Sequence, residues 1–169
     1  MKKIVIVSDT HIPVRAKQLP AILLEACEEA DLIIHAGDWQ TLDVFFELAA
    51  YAETIGVAGN VDPWEIIDRF GKKKILTLGN FKIGITHGDG AGKTTPQRAV
   101  DTFAGDSVDL IIFGHSHIPL MKQIDGVTIF NPGSPTDKRR QLQYSFGILE
   151  IEESTGSWNL QHIFFDKKA

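Results

Sequence analysis

Five short apolar runs in this chain each stop at a ligand-type side chain beside glycine or serine. KIVIVS at 3–8 runs into Asp9 and His11, and the run at 32–36 runs into Gly37-Asp38. The run at 54–58 leads to Gly59-Asn60-Val61-Asp62, 81–86 leads to His87-Gly88, and 108–113 leads to Gly114-His115-Ser116-His117. Near-continuous aliphatic and β-branched runs of this length mark strands covered on both faces. In open α/β sheets, ligands bind beyond the carboxyl ends of the parallel strands. The pattern therefore predicts a sheet edge crowded with two carboxylates, one amide and four imidazoles.

The intervening segments fit that frame. Leu19, Ile22, Leu23 and Ala26 give helical spacing over 19–30 with Pro20 in the first turn, and Leu42, Phe45, Phe46 and Ala49 give a second helix over 42–53. The resulting β-α-β-α-β rhythm indicates parallel strands. The second half holds three hairpin signals, Gly79-Asn80, Asp125-Gly126 and Ser154-Thr155-Gly156. A third helix is expected with Thr95 as N-cap and Pro96 at its first position. The expectation is an α/β fold of two stacked mixed sheets with helices outside, forming one domain over 1–169.

Bulk properties narrow the partners. A net charge of −5 offers no basic face for duplex nucleic acid or anionic lipid. Cys27 is the only cysteine, so no intrachain disulfide can form and a reducing compartment is expected. The apolar N-terminal run is shorter than the roughly 7–15 residues of a secretory h-region, and nothing approaches the ~18 apolar residues of a membrane span. A cytoplasmic protein acting on a small molecule is the expectation. Homo-oligomerisation stays open.

Such a crowd of polar groups is costly to desolvate without a counter-charge, and a pair of divalent metals supplies one. Asp9 and His11 lie two apart, so both can face one way in extended backbone, and His115 and His117 repeat the spacing. Imidazole suits zinc, iron and nickel, while carboxylate and amide oxygens suit manganese and magnesium. Gly37, Gly59, Gly88 and Gly114 permit turns where backbone must come close to the centre. Any one of these motifs alone has an ordinary turn explanation; their order along the chain does not.

The series D-x-H, G-D, G-N-x-D, T-H-G and G-H-x-H resembles the calcineurin-like metallophosphoesterases, in particular their small bacterial and archaeal phosphodiesterase branch. The resemblance runs from Ser8 to at least Ser134. It implies a four-layer α/β/β/α sandwich with one metal on Asp9, His11, Asp38 and His117. The second metal would take Asp38, Asn60, His87 and His115, with Asp38 shared. It further implies hydrolysis of phosphate esters by a hydroxide between two divalent ions, with manganese the expected metal and zinc, iron, nickel or magnesium as alternatives. Asp38, Asn60 and His87 would be catalytic through metal and phosphate contact.

One position departs from the pattern. Many relatives carry His after the motif Asn, thought to protonate the leaving group; this chain has Val61. Valine donates no proton, which favours diesters with good leaving groups and disfavours protein phosphatase activity. Asp62 and Asp89 are candidate substitute acids, with orientation of a ligand the competing account. Arg15, Asn131 and Ser134 are candidate substrate contacts, the last two in the closing loop NPGSP before Lys138-Arg139-Arg140. A plain turn followed by a solvated charge run explains that segment equally well. His35 reads as a packed histidine in preference to a ligand, and His162 as a surface residue. Trp39 and Trp64 either wall a cleft or pack in the core. The same fold also serves a non-catalytic retromer subunit, and a phosphomonoesterase or nucleotide pyrophosphatase on the same centre is a further alternative.

Overall fold

In the computed structural model, which describes residues 1–166, alternate residues of the apolar strands enter different layers. Strand β1 (Lys2–Val7) sends Ile4 and Ile6 into one buried cluster and Val5 and Val7 into another. Strand β2 (Leu32–His35) divides Leu32 and Ile34 from Ile33 in the same way. This is the period-two geometry of a strand with no solvent face. It explains why these runs lack a polar alternation.

The remaining elements are α1 (Ala21–Glu28), α2 (Leu42–Ala49), β3 (Glu53–Gly56), α3 (Trp64–Phe70), β4 (Lys73–Leu78) and β5 (Phe81–Thr86). There follow α4 (Thr95–Thr102), β6 (Leu110–Ile112), β7 (Leu120–Ile124), β8 (Val127–Asn131), β9 (Tyr144–Glu152) and β10 (Ser157–Phe165). One sheet has the order β10-β9-β1-β2-β3 and the other β4-β5-β6-β8-β7. In the first, β1, β2 and β3 are mutually parallel, while β9 returns antiparallel beside β1. In the second, β5, β6 and β8 are parallel and β4 and β7 close the edges antiparallel.

The cluster between the sheets joins Ile4, Ile34 and Leu149 to Ile83, Ile112 and Phe130. Helices α1, α2 and α3 cover the outer face of the first sheet through Leu23, Val44, Leu48 and Ile66. Ala99 of α4, with Phe103, covers the outer face of the second. The fold is thus the expected α/β/β/α sandwich, and all three hairpins form. No helix among the described residues is long and apolar enough to cross a membrane.

Four local expectations need correction. Thr94, not Thr95, caps α4, its hydroxyl accepting from Gln97 N at 3.2 Å, so Pro96 is the second helical residue. Proline has no N–H to lose there, because the first-turn donors have no intrahelical partner. Pro20 lies outside α1 at its N-cap, in extended conformation. Helix α3 was not foreseen: its short run of Ile66, Ile67 and Phe70 follows Asp62-Pro63 too closely to be read as periodic. His162 is half-buried, stacked 4.4 Å from the Phe130 ring with its Nε2 2.7 Å from Asn131 O.

Candidate metal centre

Five of the six parallel strands end in ligands of a single cradle. After β1 come Asp9 and His11, after β2 Asp38, and after β3 Asn60; the second sheet adds His87 after β5 and His115 and His117 after β6. Two groups of ligand atoms result, Asp9, His11 and His117 in one and Asp38, His87 and His115 in the other, each with its atoms within 4.8 Å of one another. Asp38 Oδ2 lies 3.0 Å from His87 Nε2 and 3.5 Å from His11 Nε2, so its carboxylate faces both groups. Asn60 Oδ1 is 3.1 Å from His115 Nδ1, which places the amide at the second group.

Five of these residues, Asp9, His11, Asp38, His115 and His117, have positive φ between 48° and 73°. Left-handed backbone costs a non-glycine residue about 1–3 kcal/mol and persists where surroundings impose it. At Asp38 that imposition comes from Asp62. Its Oδ2 accepts from Asp38 N (2.9 Å) and Gly59 N (2.7 Å), and its Oδ1 from Gln40 N (2.7 Å). One carboxylate therefore ties the Asp38 loop to the Asn60 loop. Burial pushes the Asp62 pKa up, with the Asp38 charge adding to it, while the three backbone donors oppose the rise. A group so engaged is an orienting residue, not a substitute acid.

Glycines are required for the same reason. A Cβ at Gly59 would stand 2.1 Å from Asp38 Oδ1, and one at Gly114 would stand 2.0 Å from Ser8 Oγ. Neither distance is compatible with a side chain.

The imidazoles are aimed by their far nitrogens. His87 Nδ1 pairs with Ala36 O at 2.8 Å and His117 Nδ1 pairs with Asp137 O, leaving each Nε2 turned to the centre. A carbonyl accepts only, so Nδ1 carries a proton in each ring and Nε2 is the nitrogen left to a metal, which in His87 must displace a second proton. Asp9 Oδ2 accepts from Ser8 Oγ (2.7 Å) and His115 N (3.0 Å), which leaves Oδ1 to face the Nε2 atoms of His11, His87 and His117 at 3.5–3.7 Å.

Burial would raise the Asp9 pKa, yet His87, His11 and His117 around it hold it below the usual carboxylate range. Burial alone would lower His87, but Asp9 and Asp38 carry it up to about 9 in the metal-free chain. Burial keeps His117 and His115 below the ordinary imidazole value.

A cation fits this arrangement on internal grounds. Asp9 Oδ1, His11 Nε2, His87 Nε2 and His117 Nε2 are all buried without a hydrogen-bond partner. Buried polar atoms almost always find partners, and unpaired ones cost ~1–3 kcal/mol each. Four such atoms at one point, three imidazole nitrogens and a carboxylate oxygen, are the donor set of a divalent metal.

The other sequence candidates fall around this centre in different ways. Asn131 is buried, its Nδ2 donating to Gly114 O and Ser116 Oγ and its Oδ1 accepting from Gly133 N. Ser134 Oγ donates to Asp9 O at 2.8 Å. Both are buried with these atoms bonded inside the chain, so they brace the ligand loops where substrate contact was expected. Arg15 Nε lies 3.8 Å from Asp137 Oδ2 at the exposed rim. Trp39 is wholly buried between His35 (3.8 Å) and Phe70 (4.5 Å), a core residue, whereas Trp64 is exposed.

His35 sits beneath the cradle: Gly37 N donates to its Nδ1, and its Nε2 pairs with Thr10 Oγ1 at 3.1 Å. Sequence reasoning missed Thr10 and Thr136, whose hydroxyl donates to Thr10 O. Their position next to the D-x-H and NPGSP motifs was the only signal.

Together the sandwich and its donor set define a metal-binding α/β domain with the two sheets sharing one polar edge. Residues 1–154 match the model of the calcineurin-like phosphoesterase superfamily domain, and the chain belongs to that family. A probable metallophosphoesterase of Methanothermobacter thermautotrophicus is 34% identical over 136 residues, 79% of this chain and 77% of the relative. The solution structure of Thermotoga maritima protein TM1076 superposes with a TM-score of 0.76 at 30% identity, covering 98% of this chain and all of that one. Vps29 of Entamoeba histolytica in complex with zinc gives 0.76 at 23% identity over 97% of this chain and 99% of its own, a likeness of fold.

Proposed function

We propose that the chain is a phosphodiesterase whose cradle takes two divalent ions, manganese foremost, with residues 1–169 acting as one domain. The observation that carries this reading is the convergence of three unpaired histidine Nε2 atoms on the equally unpaired Asp9 Oδ1, two of them also facing the Asp38 carboxylate. When bound, such ions polarise phosphoryl oxygens and bring the pKa of water toward neutrality. The protein's part is to hold Asp9 ionised, set Asp38 between the two ligand groups, keep the His87 and His117 Nε2 atoms pointed inward, and fix the loops through Asp62. No side-chain nucleophile is required.

Val61 supports the choice of diesters. It stands at the rim, 43% exposed, with its own N donating to Asp38 Oδ1 at 3.1 Å, and its side chain has no proton to give. Asp62 is turned inward. A leaving group that departs without protonation, such as an aryl oxide, suits this rim.

The test is elemental analysis of manganese-loaded protein together with rates on bis(p-nitrophenyl) phosphate and p-nitrophenyl phosphate. Two ions per chain and faster diester hydrolysis are expected. Faster monoester hydrolysis would reassign the substrate class. Full metal occupancy without turnover would favour the scaffold reading that the Vps29 fold represents. Val61→His should raise the rate on an alkyl ester by about 10²–10⁴-fold, the usual gain from a positioned acid, and an unaltered rate would discard the account of Val61.

A further inference from the structure

Ser116, which separates the two histidines of the G-H-x-H loop, also lines a cavity of about 390 Å³. Its other walls are Ile118, Lys138, Arg139, Arg140 and Gln141. Three cations and no carboxylate line this space in a chain whose net charge is −5. Among the described residues Lys138, Arg139 and Arg140 form no ion pair; Lys138 Nζ instead lies 5.6 Å from the centre of the Tyr144 ring.

Gln141 N donates to Lys138 O at 2.9 Å, closing a turn around the two arginines. The segment borders the cradle directly: Asp137 O pairs with His117 Nδ1. Unpaired cations around a concave space beside a phosphoester centre have one evident complement, a second anion. Arginine is suited to it, since its planar fork meets phosphate oxygens two at a time.

We infer that this cavity binds a second phosphate of the substrate, carried by the same molecule at a distance from the ester being cleaved. The inference rests on the phosphodiesterase reading above and narrows it to diesters that bear a further phosphate, as a 3′-phosphorylated nucleotide ester does. Ile118, half-exposed beside Ser116, offers an apolar wall for the sugar or base between the two phosphates.

The test uses manganese-loaded protein and a pair of esters that differ by one group, thymidine 5′-(p-nitrophenyl phosphate) with and without a 3′-phosphate. Calorimetric binding of thymidine 3′,5′-bisphosphate and thymidine 5′-phosphate gives a readout independent of turnover. The extra phosphate should lower KM, and Kd in the binding pair, by about tenfold at low salt, and the advantage should shrink in about 0.5 M salt. In the double variant Arg139→Gln, Arg140→Gln the ratio between the members of each pair should fall toward one. Turnover of both esters with a wild-type ratio near one, or a ratio that persists in the double variant, overturns the subsite and leaves the hydrolase reading intact. A calorimetric ratio that the double variant abolishes, with neither ester cleaved, overturns the hydrolase reading and leaves the subsite standing.

Discussion

The two sheets contribute unlike chemistry to the shared edge. The first supplies both carboxylates, the amide and one imidazole, as Asp9, Asp38, Asn60 and His11; the second supplies imidazoles alone, His87, His115 and His117. Each ligand group draws from both sheets. Neither edge would balance its own charge, and the depressed Asp9 pKa depends in part on His87 and His117 from across the interface. Metal binding should therefore tighten the packing between the sheets, coupling ion affinity to global stability.

The sharpest way to probe this asymmetry is to remove one ligand from each edge. Asp38 faces both groups, whereas His115 belongs to one. Asp38→Asn should abolish metal-supported hydrolysis, beyond the 10–100-fold that loss of an orienting partner costs, and should weaken binding of both ions. His115→Ala should retain one ion per chain by elemental analysis. Equal loss of both ions in the two variants would mean that the groups do not act separately.

The edges also differ in how they are braced. An ionised carboxylate, Asp62, ties the loops of the first sheet, while a neutral amide, Asn131, ties the G-H-x-H loop of the second. Hydrogen bonds to a charged group are worth about 1.5–3 kcal/mol against about 0.5–1.5 for neutral pairs. Asp62→Asn should weaken manganese binding about 10–100-fold, read by calorimetric titration. Asn131→Ala should act first on stability, by ~1–3 kcal/mol from the partners it strands, with a smaller change in affinity. A reversed ranking would place the controlling brace on the second sheet.

How far the sequence disclosed this follows the same division. The strand exits were legible because a buried strand must end where its apolar run ends, and the ligand residues stand immediately after. The hairpins were legible from turn residues alone. Asp62 was visible as part of G-N-x-D, but the direction of its carboxylate depends on where the Asp38 loop lies, which is a tertiary fact. Asn131 and Ser134 were read as substrate contacts for the same reason: spacing puts them near the centre without saying which way they face. His162 was misread because its burial depends on β10 laying it over Phe130, across a sheet interface that no local pattern reveals.

A pH titration of the metal-free protein gives the finest comparison, because two histidines at this edge contribute opposite slopes. His35 of the first sheet is held by burial at a pKa of about 3, below its ordinary 6.5. The unfolded chain thus takes up that proton first, and the stability His35 contributes is complete above pH 6.5 and lost as pH falls toward about 3. His87 at the edge of the second sheet is raised to about 9, so its contribution is complete below 6.5 and lost as pH rises through about 9. In His35→Leu the baseline should drop, since Gly37 N and Thr10 Oγ1 lose their partner. The acid limb between the ordinary histidine value of 6.5 and the ordinary aspartate value of 3.8 should flatten. In His87→Gln the alkaline limb should flatten instead, and loading with manganese should remove that limb from the wild type by keeping His87 neutral. Denaturant unfolding across this range measures both. An acid limb as steep in His35→Leu as in the wild type would show that the proton is taken up elsewhere.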